Sequence, residues 1–387
     1  MGERRLRLGV AGLGRGFMLT LPTLRADPRL AVVAGADPLP EARRRFAADF
    51  GAKTYADVAA LCRDAAVEAV YIATPHQFHA EHALAAAAAG KHLLIEKPMA
   101  LDLAQCRAMV DAAKAAGVQL LVGPSHSYDE PIRETRRLIA SGAYGRLRLV
   151  TALNFTDFLY RPRRPEELDT AQGGGVIFSQ GAHQIDILRL LGGGLVRSVR
   201  AAAGQWDPAR PTEGAYAAFL DFVGGAAATI TYSGYAHFDS DELCGWVGET
   251  GAAKDPERYG TARRALAAAP DAAAEAALKS QRGYGTAPAA PPARFHEHFG
   301  FLIASCEHAD LRPLPQGVMI YGNAERRLHP LPAPAAARSA VIDELYAAVV
   351  EGRAPVHSGE WGLATLEVCL ALLRSAEDGR EVKLAAQ

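Results

Sequence analysis

The feature that most constrains the fold is a regular alternation of short apolar runs and helical patterns between residues 6 and 125. The runs are rich in Val, Ile and Leu and nearly continuous, which is typical of parallel strands buried on both faces. They are Leu6–Ala11, Leu30–Ala36, Val67–Thr74, His92–Glu96 and Val118–Gly123. Helical patterns lie between them at Glu41–Phe50, Ala80–Ala89 and Leu103–Ala116. This alternation predicts crossover units and a doubly wound parallel sheet, the α/β class.

The pattern changes after about residue 125. Strand-like segments at 196–203, 216–223 and 226–233 follow one another without helices between them, which predicts antiparallel pairing. We therefore predict two domains, an α/β domain over residues 1–125 and an α+β domain over residues 126–387. Residues 251–293 are rich in Ala and Pro and predict an insertion that is part helix and part loop.

Charge and composition exclude several classes of partner. Lys and Arg total 42 and Asp and Glu total 43, which gives a formal net charge of −1 and no general reason to expect nucleic acid. No stretch approaches the ~18 apolar residues of a membrane helix, and the start has no secretory apolar core. Five Cys without a close pairing motif indicate thiols in a reducing compartment. We expect a cytoplasmic protein without a membrane or nucleic-acid partner.

Glycines at positions 12, 14 and 16 directly follow the first predicted strand. Glycines in such a turn allow backbone amides to approach a pyrophosphate at a helix N-terminus, although a tight turn without a ligand uses the same residues. Phe17 occupies the third glycine position of the usual dinucleotide-binding pattern. We predict that Gly16 instead relieves the packing there.

Asp37 ends the second predicted strand, 25 residues after Gly12. This is close to the spacing of the acid that binds the adenosine ribose hydroxyls of a dinucleotide. A carboxylate there favours NAD, because it repels a 2′-phosphate. The three arginines at 43–45 leave NADP open as a second cofactor.

Two later segments, Thr74–His79 and Glu96–Pro98, lie at the carboxyl ends of predicted strands. Ligands bind at the carboxyl ends of the strands in such a sheet, so Lys97 is placed to reach a cofactor cleft. The predicted cofactor-binding residues are Gly12, Gly14, Arg15, Gly16, Phe17, Asp37, Thr74, Pro75, His76, His79, Glu96 and Lys97.

These motifs, with a later Gly-rich turn at 173–175 and the segment 181–186, resemble the Gfo/Idh/MocA oxidoreductase family. The resemblance covers most of the chain. It implies a Rossmann-type dinucleotide-binding domain followed by an α+β domain with a large, open, mostly antiparallel sheet. It also implies a homodimer or homotetramer formed through that sheet, and a cis peptide bond between Lys97 and Pro98.

The resemblance implies that His183 faces the substrate. Ser179 stands where relatives often have an aspartate, and Gln180 is a substitute hydrogen-bonding group. Oxidation of an alcohol needs a hydride acceptor, which the cofactor supplies, and a proton acceptor, which the protein supplies. His183 and Lys97 are both candidates for that catalytic base, and the sequence leaves the choice open.

Specificity is expected in the second domain, where Arg161, Arg163 and Arg164 follow a predicted strand end. Arg clusters suit carboxylates, although a basic surface loop or a subunit contact explains them equally well. The predicted substrate-binding residues are His126, Tyr128, Arg161, Arg163, Arg164, Ser179, Gln180, His183 and His237. Within the family, several segments are similar to dehydrogenases of the phthalate cis-dihydrodiol type.

We therefore expect an NAD-dependent dehydrogenase of a small secondary alcohol or vicinal diol, such as a carboxylated aromatic cis-dihydrodiol. The first alternative is a sugar or cyclitol dehydrogenase on the same fold. Two others are an enzyme that cleaves glycosides through transient NAD redox and a cofactor-binding sensor without activity. Polar residues at 237–242 and the imidazoles of His296 and His298 do not form a metal-binding pattern, so no metal is expected.

Overall fold

The computed structural model describes residues 4–281, 283–284 and 293–387, and its contacts divide the chain into two compact units. The first unit contains the chain up to Pro124, a short segment that begins at Ser280, and Ala336–Leu366. The second contains Ser125–Lys279, residues 293–335 and Glu367–Gln387. A division into residues 1–125 and 126–387 therefore omits the return of Ala336–Leu366 to the first unit.

The strands are β1 (Leu6–Ala11), β2 (Leu30–Ala36), β3 (Lys53–Tyr55), β4 (Ala69–Ile72), β5 (His92–Ile95), β6 (Leu120–Val122), β7 (Leu147–Phe155), β8 (Val196–Gly204), β9 (Ala215–Phe222), β10 (Ala227–Ser233), β11 (Phe301–Cys306), β12 (Ala309–Leu314), β13 (Gly317–Gly322), β14 (Arg326–Pro330) and β15 (Val382–Lys383). The helices are α1 (Arg15–Ala26), α2 (Pro40–Phe50), α3 (Val58–Cys62), α4 (His79–Ala88), α5 (Leu103–Ala116), α6 (Glu130–Ala140), α7 (Ala182–Gly192), α8 (Thr261–Ala267), α9 (Ala272–Ser280), α10 (Ser339–Val350) and α11 (Gly359–Asp378). The helices α8 and α9 form the first part of the predicted insertion. Residues 282 and 285–292 of that segment lie outside the described residues.

The first unit contains a six-stranded parallel sheet in the order β3-β2-β1-β4-β5-β6. Apolar side chains such as Leu8, Val10 and Leu94 are fully buried in it, as expected for strands covered on both faces. The strand order reverses between β1 and β4, and ligands of such sheets bind outside the carboxyl ends of the strands at this point. The predicted doubly wound sheet is confirmed.

The second unit contains a nine-stranded sheet in the order β14-β13-β12-β11-β7-β10-β9-β8-β15. Every neighbouring pair is antiparallel except β7 and β10, so the predicted large and mostly antiparallel sheet is confirmed. Buried and less buried positions alternate along β7 and β9, because one face of the sheet is covered. Helices α6 and α7 pack on the sheet.

The helices carry no candidate membrane span. Throughout residues 4–281, 283–284 and 293–387, no helix is both long enough and apolar enough to cross a bilayer.

Candidate functional site

The turn after β1 is built so that its backbone, not its side chains, meets a ligand. Gly12 has a φ of +88°, and a Cβ there would lie 2.8 Å from the backbone of Ala73 and Thr74. A Cβ on Gly14 would meet nothing within 4 Å, so this position is an open cradle. Gly14 is also the N-cap of α1 and provides no side-chain cap. An open helix N-terminus of this kind suits a phosphate group.

In the usual dinucleotide-binding pattern the third glycine allows a close approach between the helix and the sheet. Here Gly16, and not position 17, has this role. A Cβ on Gly16 would lie 2.9 Å from Oε1 of Glu96, so the close approach occurs at this glycine. The side chain of Phe17 is fully buried, and its ring lies 5.8 Å from that of Phe46 and 5.0 Å from that of Tyr284. Phe17 is therefore a core residue, and its assignment as a cofactor-binding side chain is corrected.

The side chain of Glu96 lies against the glycine turn, next to Gly16. Its Oε1 accepts hydrogen bonds from the Tyr71 hydroxyl at 2.7 Å and from Nη1 of Arg338 at 3.2 Å. The same Arg338 nitrogen donates to Oγ1 of Thr20 at 3.0 Å. Burial, with a contribution from the nearby Glu96 carboxylate, raises the pKa of Tyr71, so the phenol keeps its proton as the donor. Glu96 is 9% exposed, so most of its side chain is buried against the turn. We infer that it positions the turn.

Asp37 lies just beyond β2 with both carboxylate oxygens in use. Oδ2 accepts from the backbone N–H of Leu13 at 2.8 Å, and Oδ1 accepts from that of Leu39 at 2.9 Å. Each carboxylate oxygen has a second lone pair. Asp37 can thus hold the glycine turn and still accept from ribose hydroxyls. Together with the open Gly14, this arrangement fits a dinucleotide such as NAD.

The segments after β4 and β5 are tied together by His79. Its Nε2 lies 2.9 Å from the Thr74 carbonyl oxygen and its Nδ1 lies 3.0 Å from that of Pro98. The ring is fully buried, so His79 positions these segments and its side chain is not open to a cofactor. His76 and Pro75 are half-buried beside it. Lys97 is half-buried after β5, and the Lys97–Pro98 peptide bond is cis.

In the second unit, two histidines predicted from different segments meet. The rings of His126 and His183 lie 4.8 Å apart, and both contact Phe299, at 4.8 Å and 5.2 Å. Oγ of Ser125 lies 3.2 Å from Nδ1 of His183. Behind Phe299 the ring of Tyr232 stacks at 6.3 Å. We call His126, His183, Phe299 and Tyr232 the histidine cluster.

His126 has a carboxylate partner that the sequence reading missed. Nδ1 of His126 lies 2.7 Å from Oδ2 of Asp129, and the Asp129 side chain is 5% exposed. Burial alone would lower the pKa of His126, but the Asp129 carboxylate outweighs it, and Glu297 and Glu249 add to the effect. The pKa of His126 is therefore raised above its ordinary value of 6.5.

Glu249 brings a second charge to the histidine cluster. Its Oε1 is buried and has no hydrogen-bond partner within the described ranges 4–281, 283–284 and 293–387. Burial disfavours the charged form of Arg161, but the carboxylates of Glu249 and Asp157 outweigh it and raise the pKa of the guanidinium. Nε of Arg161 donates to Asp157 at 3.0 Å, and the side chain is 30% exposed. The site therefore combines a partly exposed cation with an acceptor that lacks a donor.

The three arginines of the predicted substrate loop do not act together. The guanidinium of Arg163 lies 3.5 Å from the centre of the Phe158 ring and donates to the Phe158 carbonyl oxygen, and the side chain is 8% exposed. Arg164 pairs with Glu166 at 3.1 Å and with Glu167 at 3.6 Å. The expectation of three presented guanidinium groups is corrected, because all three have protein partners: Arg161 also pairs with Asp157, and Arg163 is largely withdrawn from solvent.

The remaining predicted substrate residues separate into two groups. Ser179 and Gln180 are half-buried in a π-helical turn, Ile177–Gly181, that leads into α7, and such turns are frequent at functional sites. Tyr128 is buried next to His126. His237 is exposed, and in the described parts of the chain no hydrogen bond or ring contact joins it to the histidine cluster. The structure therefore does not bring His237 into this site.

The other histidines that were weighed as metal ligands bond to backbone groups. Nε2 of His296 lies 2.8 Å from the Pro332 carbonyl oxygen, and Nε2 of His298 lies 2.7 Å from that of Val247. Among the residues that the structure describes, no group of three or more His, Cys, Asp or Glu is arranged to hold a metal ion.

Five residues of the site were not predicted as site residues from the sequence: Ser125, Asp129, Tyr232, Glu249 and Phe299. Asp129 lies three residues after His126, and this spacing was the one local signal. Glu249 and Phe299 come from segments far along the chain, and tertiary folding alone brings them to His126.

Two family models match the chain. One is described as "Oxidoreductase family, NAD-binding Rossmann fold" and matches residues 6–124. The other, "GFO/IDH/MocA C-terminal domain", matches residues 132–254.

Individual relatives support the same assignment. A 1-carboxy-3-chloro-3,4-dihydroxycyclohexa-1,5-diene dehydrogenase from Comamonas testosteroni is 48% identical, over 96% of this chain and 95% of that protein. An inositol 2-dehydrogenase from Saccharopolyspora erythraea is 32% identical over 53% of this chain and 60% of its own length. A crystal structure assigned as a dehydrogenase from Bordetella bronchiseptica RB50 is 41% identical, with a TM-score of 0.94 over 98% of this chain and 100% of that one.

Proposed function

Because the chain belongs to the Gfo/Idh/MocA family of NAD-binding oxidoreductases, we propose that it oxidises a carboxylated cyclic cis-diol with NAD. The enzyme is a dehydrogenase that acts on CH–OH groups, and the proposal concerns its substrate. The relative from Comamonas testosteroni has a substrate with a carboxylate and a vicinal diol on a cyclohexadiene ring, as its name states.

One observation carries the proposal: Arg161 and the unpartnered Oε1 of Glu249 act on the same cluster. A substrate carboxylate would pair with Arg161, because this partly exposed guanidinium interacts with Glu249 of the same cluster and a guanidinium suits a bidentate contact. A substrate hydroxyl would donate to Glu249, which satisfies a buried acceptor that otherwise costs free energy. The stacked rings of Phe299 and Tyr232 suit a planar, unsaturated carbon ring.

The candidate residues have separate roles in the proposed reaction. Gly12, Gly14 and Asp37 of the first unit would hold NAD, which accepts a hydride from the carbinol carbon when bound. We propose that the Lys97 ammonium donates a hydrogen bond to the reacting oxygen and stabilises negative charge as it develops. A histidine of the histidine cluster takes the hydroxyl proton.

The test is the formation of NADH by the purified enzyme with NAD and a panel of alcohols. The panel contains a carboxylated cis-dihydrodiol, such as that of phthalate, the same diol without carboxylates, and an inositol. We expect rapid turnover of the carboxylated diol and slow turnover of the others. Faster turnover of inositol would replace the proposal by the sugar or cyclitol alternative, which Glu249 as a hydroxyl acceptor also supports.

Two further outcomes of the panel mark the remaining alternatives. NAD that stays bound through purification, with no net NADH formed, would indicate transient redox of the kind used to cleave glycosides. NAD binding without any turnover would indicate a sensor.

We also propose a cytoplasmic homodimer or homotetramer. Five free cysteines, of which four are buried, support a reducing compartment. Leu149 on β7 and Phe219 on β9 are 38% and 48% exposed on the nine-stranded sheet. Apolar side chains exposed in this way favour association through that sheet, which light scattering measures directly.

A further inference from the structure

His126 and His183 lie side by side but have partners of different chemistry. Nδ1 of His183 faces the hydroxyl of Ser125 at 3.2 Å, whereas Nδ1 of His126 faces the carboxylate of Asp129 at 2.7 Å. A carboxylate stabilises an imidazolium far more than a hydroxyl does, because it carries the opposite charge. The carboxylate of Asp129 therefore equips His126 to receive a proton and hold it during a reaction.

The position of Asp129 shows that its carboxylate is used for His126. Asp129 is the N-cap of α6, where an aspartate normally accepts from the backbone amides of the first helical turn. Its side chain makes no such capping bond. The carboxylate instead faces back along the chain to the ring of His126, so helix capping does not explain the residue.

The hydrogen bond also fixes the tautomer of the neutral ring. A carboxylate only accepts, so Nδ1 of His126 carries the proton and Nε2 has the free lone pair. In residues 4–281, 283–284 and 293–387, no protein group hydrogen-bonds to Nε2 of His126. The His126 side chain is 17% exposed, and we expect Nε2 to be the nitrogen that meets a ligand of the cluster.

We propose that His126 is the residue that takes the substrate's hydroxyl proton, and that Asp129 is its positioning residue. The inference rests on the proposed function. In the step, the O–H bond breaks and its proton passes to Nε2 of His126, and the carbinol C–H leaves as a hydride to NAD. The carbon–oxygen double bond forms, so the alcohol is oxidised to a ketone and NAD is reduced to NADH.

Other charged groups around His126 set the pH at which it works. Glu249 and Glu297 favour the protonated ring, as Asp129 does, and His183 is the neighbouring titratable ring at 4.8 Å. Because the base must be unprotonated, kcat/KM is expected to rise with pH across the titration of His126, with a midpoint above 6.5.

The principal test compares Asp129→Asn with the unchanged enzyme on the carboxylated cis-diol. Loss of the carboxylate frees the tautomer and lowers the pKa of His126. We expect kcat to fall by about two to four orders of magnitude and the acid limb of kcat/KM to move to lower pH. Asp129→Glu should recover part of the rate. His126→Asn should lose the rate and the acid limb together.

Glu130→Gln is the matched control. It removes a carboxylate one residue further on, where Glu130 pairs with Arg133 at 3.0 Å and with Arg137. We expect an unchanged pH profile. A role of Asp129 in folding alone would lower the melting temperature and leave the acid limb in place, and that result would overturn the inference. So would a His126→Asn enzyme with more than half of the original turnover.

A second readout does not depend on turnover. Two-dimensional 1H–15N spectra of the histidine rings should show the Nδ1–H tautomer of His126 and a pKa above 6.5, which falls in Asp129→Asn. An unchanged titration would overturn the inference by itself. If the original enzyme oxidises no diol of the panel, the proposed function fails. If the original enzyme is active and Asp129→Asn and His126→Asn keep its activity, only the assignment of His126 fails.

Discussion

The two units of this enzyme meet their ligands by different means. The turn after β1 offers a backbone cradle, in which an open Gly14 and a crowded Gly12 are the essential features. The histidine cluster offers side chains, and their role depends on the partners that the protein gives each of them. The first kind of site is specified by residues that follow one another in the chain, and the second by partners that arrive from distant segments.

The largest effect is expected for Lys97, and it tests whether the first unit contributes to catalysis as well as to NAD binding. Lys97→Met keeps most of the side-chain volume and removes the ammonium group. If Lys97 stabilises the charge on the reacting oxygen, kcat should fall by about two orders of magnitude or more. NADH formation under saturating substrate measures this.

The affinity for NAD is the control for Lys97, measured by quenching of protein fluorescence. An equal loss of NAD affinity and of turnover would make Lys97 a binding residue only. The first unit would then be a cradle without a chemical role, and the contrast between the units would be sharper.

The second prediction concerns the substrate side. Arg161→Met should raise KM for the carboxylated diol by about tenfold to a hundredfold, the range expected for loss of a charged hydrogen bond. Turnover of the same diol without carboxylates should hardly change. Steady-state kinetics on both diols separate the two effects.

Arg164→Met is the control for Arg161. Arg164 is 41% exposed and pairs with Glu166 and Glu167, so its loss should leave KM within about twofold, as for most exposed ion pairs. Equal effects of the two substitutions would mean that the loop acts through its overall charge. The view that Arg161 has a specific role because it lies near Glu249 would then be wrong.

The smallest expected effect compares two glycines of one turn. Gly14→Ala adds a methyl group to open space, so the melting temperature should stay the same while the affinity for NAD falls by about tenfold. Gly16→Ala places a methyl group 2.9 Å from Glu96, so it should lower stability, by about 1–3 kcal/mol if the contact is not relieved. Thermal unfolding with and without NAD measures both.

The opposite outcome for the glycines is informative as well. A lower melting temperature for Gly14→Ala without loss of NAD affinity would show that the turn is a structural device. The backbone cradle would then have no ligand to hold.

The sequence was most informative where a structure depends on neighbouring residues. β1, β2 and α5 begin and end where the hydrophobic pattern predicts, because buried parallel strands and amphipathic helices have strong periodic signals. The strands β11 to β14 were not predicted. Their segments include half-buried and exposed positions, Pro313 and the polar residues of β14, so the alternation is weak.

The site shows the same limit. His126 and His183 were predicted from local motifs, and the resemblance to a known family supported His183. Their pairing and the unpartnered Glu249 depend on distances between segments, whereas Asp129 lies only three residues after His126. Arg163 was misread for the same reason, because the charge of a guanidinium is visible in a sequence while the Phe158 ring and carbonyl that engage it are not.

The return of Ala336–Leu366 to the first unit limits how this enzyme can be divided or recombined. The backbone N–H of Val122 in β6 bonds to the His357 carbonyl oxygen at 2.9 Å, and Gly359 and Gly362 lie so close to β6 that a Cβ would meet Leu120 or Val122 at 2.6 Å and 2.5 Å. A gene fragment that stops near codon 125 therefore encodes a nucleotide-binding module that lacks Ala336–Leu366, the segment that packs against β6. A chimaera that exchanges the nucleotide-binding unit between relatives therefore has to exchange two separate stretches of sequence together, the chain up to Pro124 and Ala336–Leu366.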